Sequence, residues 1–192
     1  MNEADARIGE VVEADSITLT VQCYRLYGSP PLGAIVRAGD AAVYAVVTEV
    51  RTEGLDPSRP VTARGEAEAT EEDVYLNNPQ LAQLLTTRFK TVVIGYQSDT
   101  GVAVGLPPLP PKVHSFVGPC PADTVEELTW SGAFLRLLLD AAAPDEVIAA
   151  CVRLAGGMVG DGQGLRVRSA KTLALELVGQ VPRLNAMMRR LA

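Results

Sequence analysis

The sequence predicts an α+β protein in which a small closed N-terminal β-barrel is followed by a C-terminal helical subdomain. Three observations predict it. The first hundred residues read as short strands rich in β-branched and aromatic residues, punctuated by glycine and proline turns. Four prolines, Pro107, Pro108, Pro110 and Pro111, then interrupt that pattern. From Asp123 onward the apolar residues recur at helical spacing. The resulting division places a barrel over residues 1–118, with a short helical insertion near 70–86 and a proline strap at 106–118, and helices over 119–192. At 192 residues and 47% hydrophobic, the chain is long enough to bury a core without staples.

The strands come first. In "SITLTVQCYR" (16–25), Ile17, Leu19, Val21 and Cys23 alternate with Thr18, Thr20, Gln22 and Tyr24, the period of a half-buried strand. "RIGEVVEA" before it and "AAVYAVVTEV" (41–50) after it share the β-forming composition, with turn signals at Asp15 and Ser16, "YGSPPLG" and "RAGD". Many short strands at close spacing suit a barrel, because closure removes exposed edges. Thr70 is placed to cap a helix whose first turn is acidic (Glu71, Glu72, Asp73), and a second short helix near Pro79 puts Leu81, Leu84 and Leu85 on one face. "FKTVVIGYQ" (89–97) and "GVAVGL" (101–106) read as a buried strand and its hairpin partner across "SDTG".

The β region is expected to end at the prolines, which lack amide donors and fix φ. "PPLPPK" also matches a polyproline ligand with a following base. Its flanks favour an internal strap instead, with Leu106, Leu109, Val113, Phe116 and Val117 as apolar anchors on the barrel. Beyond it, Asp123 and Glu126 have capping-box spacing ahead of "VEELTWSGAFLRLLLDAAA". Pro144, Asp145 and Glu146 start a further helix with a stripe of Val147, Ile148, Cys151, Leu154 and Ala155, stopped by Gly156 and Gly157. "RSAKTLALELVG" and "PRLNAMMRRLA" follow, the latter with Leu184, Met187, Met188 and Leu191 on one face.

Most chemistries lack their residues. The only histidine, His114, has no second histidine at metal spacing. Cys120, six residues on, does not form a dyad with it along an extended strap. Cys23, Cys120 and Cys151 are widely spaced and read as buried small hydrophobes of a reducing compartment. The acidic trio at 71–73 is accounted for by the helix dipole rather than by a metal. "GGMVGDGQG" (156–164) lacks the lysine and hydroxyl of a phosphate loop and follows a helix, so it is expected to be a flexible connection. No catalytic, cofactor or metal residue is expected, and the chain is expected not to be an enzyme. Seventeen cations against 23 acids, with nine aromatics, weigh against direct nucleic-acid binding. The N-terminus lacks signal-peptide character, and no apolar run approaches the roughly 20 residues of a membrane span. The cytoplasm is the expected location.

"RIGEVVEADSITLTVQCYRLYGSPPLGAIVRAG" followed by "AAVYAVVTEVR" resembles the HAS barrel, found at the N-termini of HerA-type DNA-translocating ATPases and of ATP synthase subunits. "NNPQL", "TRFKTVVIGY" and "LPPLPPKVHSFV" are similar to the stretch linking barrel to motor in HerA-like ATPases. The resemblance covers residues 7–118, and no position here matches the ATPase motifs. It implies a detached assembly module whose partner is a HerA-like ATPase or a NurA-type nuclease, with the strap as a rigid spacer leaving the barrel. The alternative is a barrel that binds single-stranded nucleic acid or a small ligand on its face. Homo-oligomerisation is expected where helix faces exceed what the barrel covers.

Overall fold

A computed structural model describes residues 7–56 and 58–191. Seven strands and seven helices follow in the order β1 (Gly9–Ala14), β2 (Thr18–Cys23), β3 (Ile35–Ala38), β4 (Val43–Gly54), α1 (Glu71–Asn77), α2 (Leu81–Leu84), β5 (Leu85–Ser98), β6 (Gly101–Val104), β7 (Phe116–Pro119), α3 (Ala122–Thr129), α4 (Phe134–Asp140), α5 (Asp145–Met158), α6 (Gly162–Glu176) and α7 (Val181–Leu191). Every pairing is antiparallel. The order β2-β1-β7-β3-β4-β5 returns from β5 to β2, so six strands close a barrel and β6 adds a seventh to β5. The predicted α+β architecture is therefore present.

The alternation read from the sequence fills the lumen. Val11, Leu19, Val21, Val36, Val43, Ala45, Val47, Phe89, Val93 and Val117 form one buried cluster inside the staves. Bulges between Val11 and Glu13, Tyr44 and Ala45, and Val47 and Glu49 bend the strands as barrel closure requires. The outer face of β3, β4 and β5 is buried too. Tyr44, Val46, Val92 and Ile94 pack against Val125, Leu128, Phe134, Leu138 and Ile148 of the helices. Residues 43–47 and 91–95 are thus covered on both sides, which explains their unbroken apolar runs.

Two glycines make this double layer fit. A Cβ on Gly95 would stand 2.5 Å from Leu128 Cδ2 and 2.7 Å from the carbonyl oxygen of Ala103, so α3 reaches β5 only over a bare backbone. Gly33, at φ +84°, lies against α5, where a Cβ would come 2.5 Å from the amide nitrogen of Cys151. Polar clamps complete the helical layer. Arg183 grips Asp145 at 2.7 Å and Arg190 grips Glu146 at 2.9 Å, fixing α7 on α5.

Several expectations need correction. The β region does not end at the prolines: β7 lies beyond them and supplies the stave between β1 and β3. The strap is therefore a return path within the barrel and not an exit from it. Of its five apolar anchors only Val117 is buried; Leu109 is 79% exposed, and Leu106, Val113 and Phe116 are also exposed. Without amide donors on its prolines the strap cannot join the sheet, and its side chains stay in water.

Asp123 forms no capping box: Pro121 is the N-cap, and Asp123 Oδ1 accepts from the amide of Thr124 instead. The long apolar stretch after it breaks into α3 and α4 at Gly132, which turns at φ +72° beside Thr172. Gly156 and Gly157 do not stop α5, which runs on to Met158, and residues 156–164 are not a slack connection. Gly162 approaches the carbonyl oxygen of Gly156 so closely that a Cβ would sit 2.0 Å from it, making the segment a tight α5–α6 crossing. By contrast Thr70 caps α1 as predicted, in a reciprocal capping box with Asp73.

Candidate functional site

The face that carries the strap gathers the polar and aromatic residues with the most defined geometry. Gly105 leaves β6 with its amide on the carbonyl of Ile94, and the four prolines follow. The chain comes back at a turn in which Ser115 donates to the carbonyl of Lys112 and His114 donates to the carbonyl of Val11. That turn places His114 at φ +69°, a left-handed conformation that an L side chain rarely adopts. The surrounding ladder holds it there: Val11 donates to Ser115, Ile8 to Val117 and Gly39 to Phe116.

His114 Nδ1 lies 2.9 Å from Glu10 Oε2, and the hydroxyl of Tyr24 donates to Glu10 Oε1 at 2.7 Å. A carboxylate with two such partners is favoured in its charged form, and the Glu10 carboxyl titrates below the usual range, mainly through the Tyr24 hydrogen bond and then through His114. Tyr24 is driven the other way, up to about 12, by partial burial and by the carboxylate it bonds. It remains a donor across physiological pH. Beside this cluster the Arg7 guanidinium covers the Phe116 ring at 3.8 Å, a cation–π contact. The arrangement orients a histidine with a carboxylate, yet it brings no nucleophile to the ring: Cys120, the sequence neighbour weighed as a partner, is buried between barrel and helices.

The other candidate groups are structural. Burial raises Cys23 to about 11 and both Cys120 and Cys151 to about 12, so all three stay as thiols. Among the described residues no three histidine, cysteine or acidic side chains cluster as a metal site. Asp161 Oδ1 takes the amide of Gly164 at 2.8 Å, so the first turn of α6 is filled by its own carboxylate where a phosphate would have to sit. Among the described residues no helix is long and apolar enough to cross a membrane.

Two apolar hollows flank the barrel. One, of about 270 Å³, opens at the far end of the β4–β5 hairpin between Leu55, Val61, Leu81 and Leu84, with Arg59 and Arg64 at its edge. The other, of about 250 Å³, lies where barrel meets helices, lined by Ile8, Pro31, Ile35, Cys120, Leu154 and Met158. Neither was visible in the sequence, because each is assembled from residues far apart in the chain. Fold and surface together define a filled antiparallel barrel with a helical layer and a rigid, exposed proline strap. No family model and no curated protein matches the chain.

Proposed function

We propose that this chain is a non-catalytic assembly module that docks through its strap face onto a HerA-like DNA-translocating ATPase or its NurA-type nuclease partner. One observation carries the reading. The strap is pinned at both ends, carries four prolines, and presents Leu109 and Val113 to solvent. Apolar side chains on a stiff segment bind a partner with little ordering entropy to lose, which is the property of an interface anchor. The ATPase as partner comes from the HAS-barrel resemblance of residues 7–118, and the side-chain-filled lumen suits a scaffold better than a ligand carrier.

The test is biolayer interferometry of the full chain against a purified HerA-type ATPase and a NurA-type nuclease. Binding to either that Leu109→Asp abolishes, with an unchanged circular dichroism spectrum, supports the reading; no binding to both overturns it. A second reading, small-ligand binding, is favoured by the hollow at the hairpin end, whose apolar wall fits an apolar molecule and whose edge offers Arg64, while Arg59 is already paired with Asp56. Fluorescence titration with labelled single strands at low salt tests the nucleic-acid form of that alternative, which predicts a steep salt slope.

A further inference from the structure

Two surfaces of this chain combine exposed apolar side chains with free charges of opposite sign. The first is the outer face of α6. Leu165, Ser169 and Leu173 turn inward, and on the other side Val167, Lys171 and Ala174 succeed one another at spacings of four and three, the seam of a helix that packs on another element. Leu175 and Val178 extend this run and are 75% and 77% exposed. Residues 162–191 carry six cations and a single acid. Arg168, Arg183 and Arg190 are engaged by Asp161, Asp145 and Glu146, whereas Lys171, in the middle of the seam, has no ion-pair partner among the described residues.

The second surface is the stretch between the far ends of β4 and β5. Residues 65–87 hold five acids, Glu66, Glu68, Glu71, Glu72 and Asp73, and no cation. None of the five forms an ion pair among the described residues. Its helix, α1, buries none of its side chains, and Leu76 stands 69% exposed. The two surfaces lie on different parts of the fold, α6 in the C-terminal helical layer and α1 in the connection between β4 and β5.

We infer that the outer face of α6 in one copy binds the acidic segment 66–76 of a second copy, head to tail. Lys171 meets Glu71 and Glu72, while Leu175 and Val178 cover Leu76. The contact is heterologous, so each added copy leaves one surface of each kind free, and assembly continues until a ring closes or a filament grows. This pairing does not depend on the ATPase reading and is tested on the chain alone.

The experiment is sedimentation velocity of the full chain with two surface variants. One loses the acidic side (Glu71→Lys with Glu72→Lys) and the other loses the α6 side (Leu175→Asp with Val178→Asp). The wild-type chain is expected to gain mass with concentration and to lose it as salt rises from 0.1 to 1 M, where the screening length shrinks from about 10 Å to about 3 Å. Each variant alone is expected to be monomeric, and an equimolar mixture is expected to stop at a one-to-one pair. Placing Lys171→Glu and Glu72→Lys in the same chain is expected to restore assembly lost in either single change. A wild-type chain that stays monomeric, a mixture that stays monomeric, or an acid-side variant that still self-associates through α6 would each overturn the pairing.

Discussion

Replacing Leu128 and Gly95 singly and together probes whether helices and barrel share one core. Leu128 is fully buried, and its Cδ2 lies over the backbone of Gly95. Leu128→Ala removes a buried side chain and leaves a cavity, a change that costs about 2–5 kcal/mol. Gly95→Ala forces a Cβ to within 2.5 Å of Leu128 Cδ2 and 2.7 Å of the Ala103 carbonyl oxygen, an overpacking worth about 1–3 kcal/mol. In the double variant the clash with residue 128 disappears while the clash with Ala103 remains. The combined loss is therefore predicted to fall short of the sum by about 1 kcal/mol or more, because contacting sites couple. Urea denaturation followed by circular dichroism and by Trp130 fluorescence reads the cycle. Both probes are expected to give one shared transition in all four proteins, with Leu128→Ala lowering the urea midpoint in proportion to the stability lost while the slope stays the same. Additivity within about 0.5 kcal/mol, or a helical transition that shifts while the barrel transition does not, would refute the shared core.

Three further outcomes follow from local chemistry. Tyr24→Phe removes the main cause of the lowered Glu10 pKa, so carbon-13 NMR titration of the Glu10 carboxyl is expected to move up toward the ordinary glutamate value. Because that pKa is depressed in the folded state, the stability linked to Glu10 is present above the ordinary glutamate range and is lost as pH falls through the folded value. The three thiols are expected to ignore a disulfide reagent in the native protein at pH 8 and to react together on unfolding, since burial raises each of them. Thr70→Ala breaks the capping box of α1 and is expected to raise hydrogen exchange at the Asp73 amide by the equivalent of about 1 kcal/mol, without affecting the barrel strands.

How far the fold could be read from the sequence depended on how local its signals are. β1, β2, β4 and β5 announce themselves by alternation or by apolar runs, because each strand senses a core on one or both faces. β3 and β7 do not. Each spans four residues among prolines and glycines, and β7 is placed by partners remote in sequence, pairing Val117 with Gly9 and with Ala38. The same limit hid the polar cluster on the strap face. His114 is conspicuous as the only histidine, yet its partner Glu10 lies 104 residues away and is brought to it only by closure of the barrel, together with the Tyr24 that bonds the same carboxylate. The glycines at 156–164 misled for a related reason, since a glycine that permits a close helix crossing and one that loosens a loop are written with the same letter. The exposed strap leucines show that apolar residues between prolines need not be anchors, for a segment with few donors cannot follow its side chains into a sheet.

Amide hydrogen exchange at the β7 staves tests barrel closure most directly. The amides of Ile8, Gly39 and Cys120, which donate to Val117, Phe116 and Ile35, are predicted to exchange only through global unfolding, with the same free energy as Val21 and Val93 in the middle of the sheet. Rapid exchange at those three positions, with Val21 and Val93 still protected, would mean that residues 116–119 do not bridge β1 and β3 and that the sheet is open.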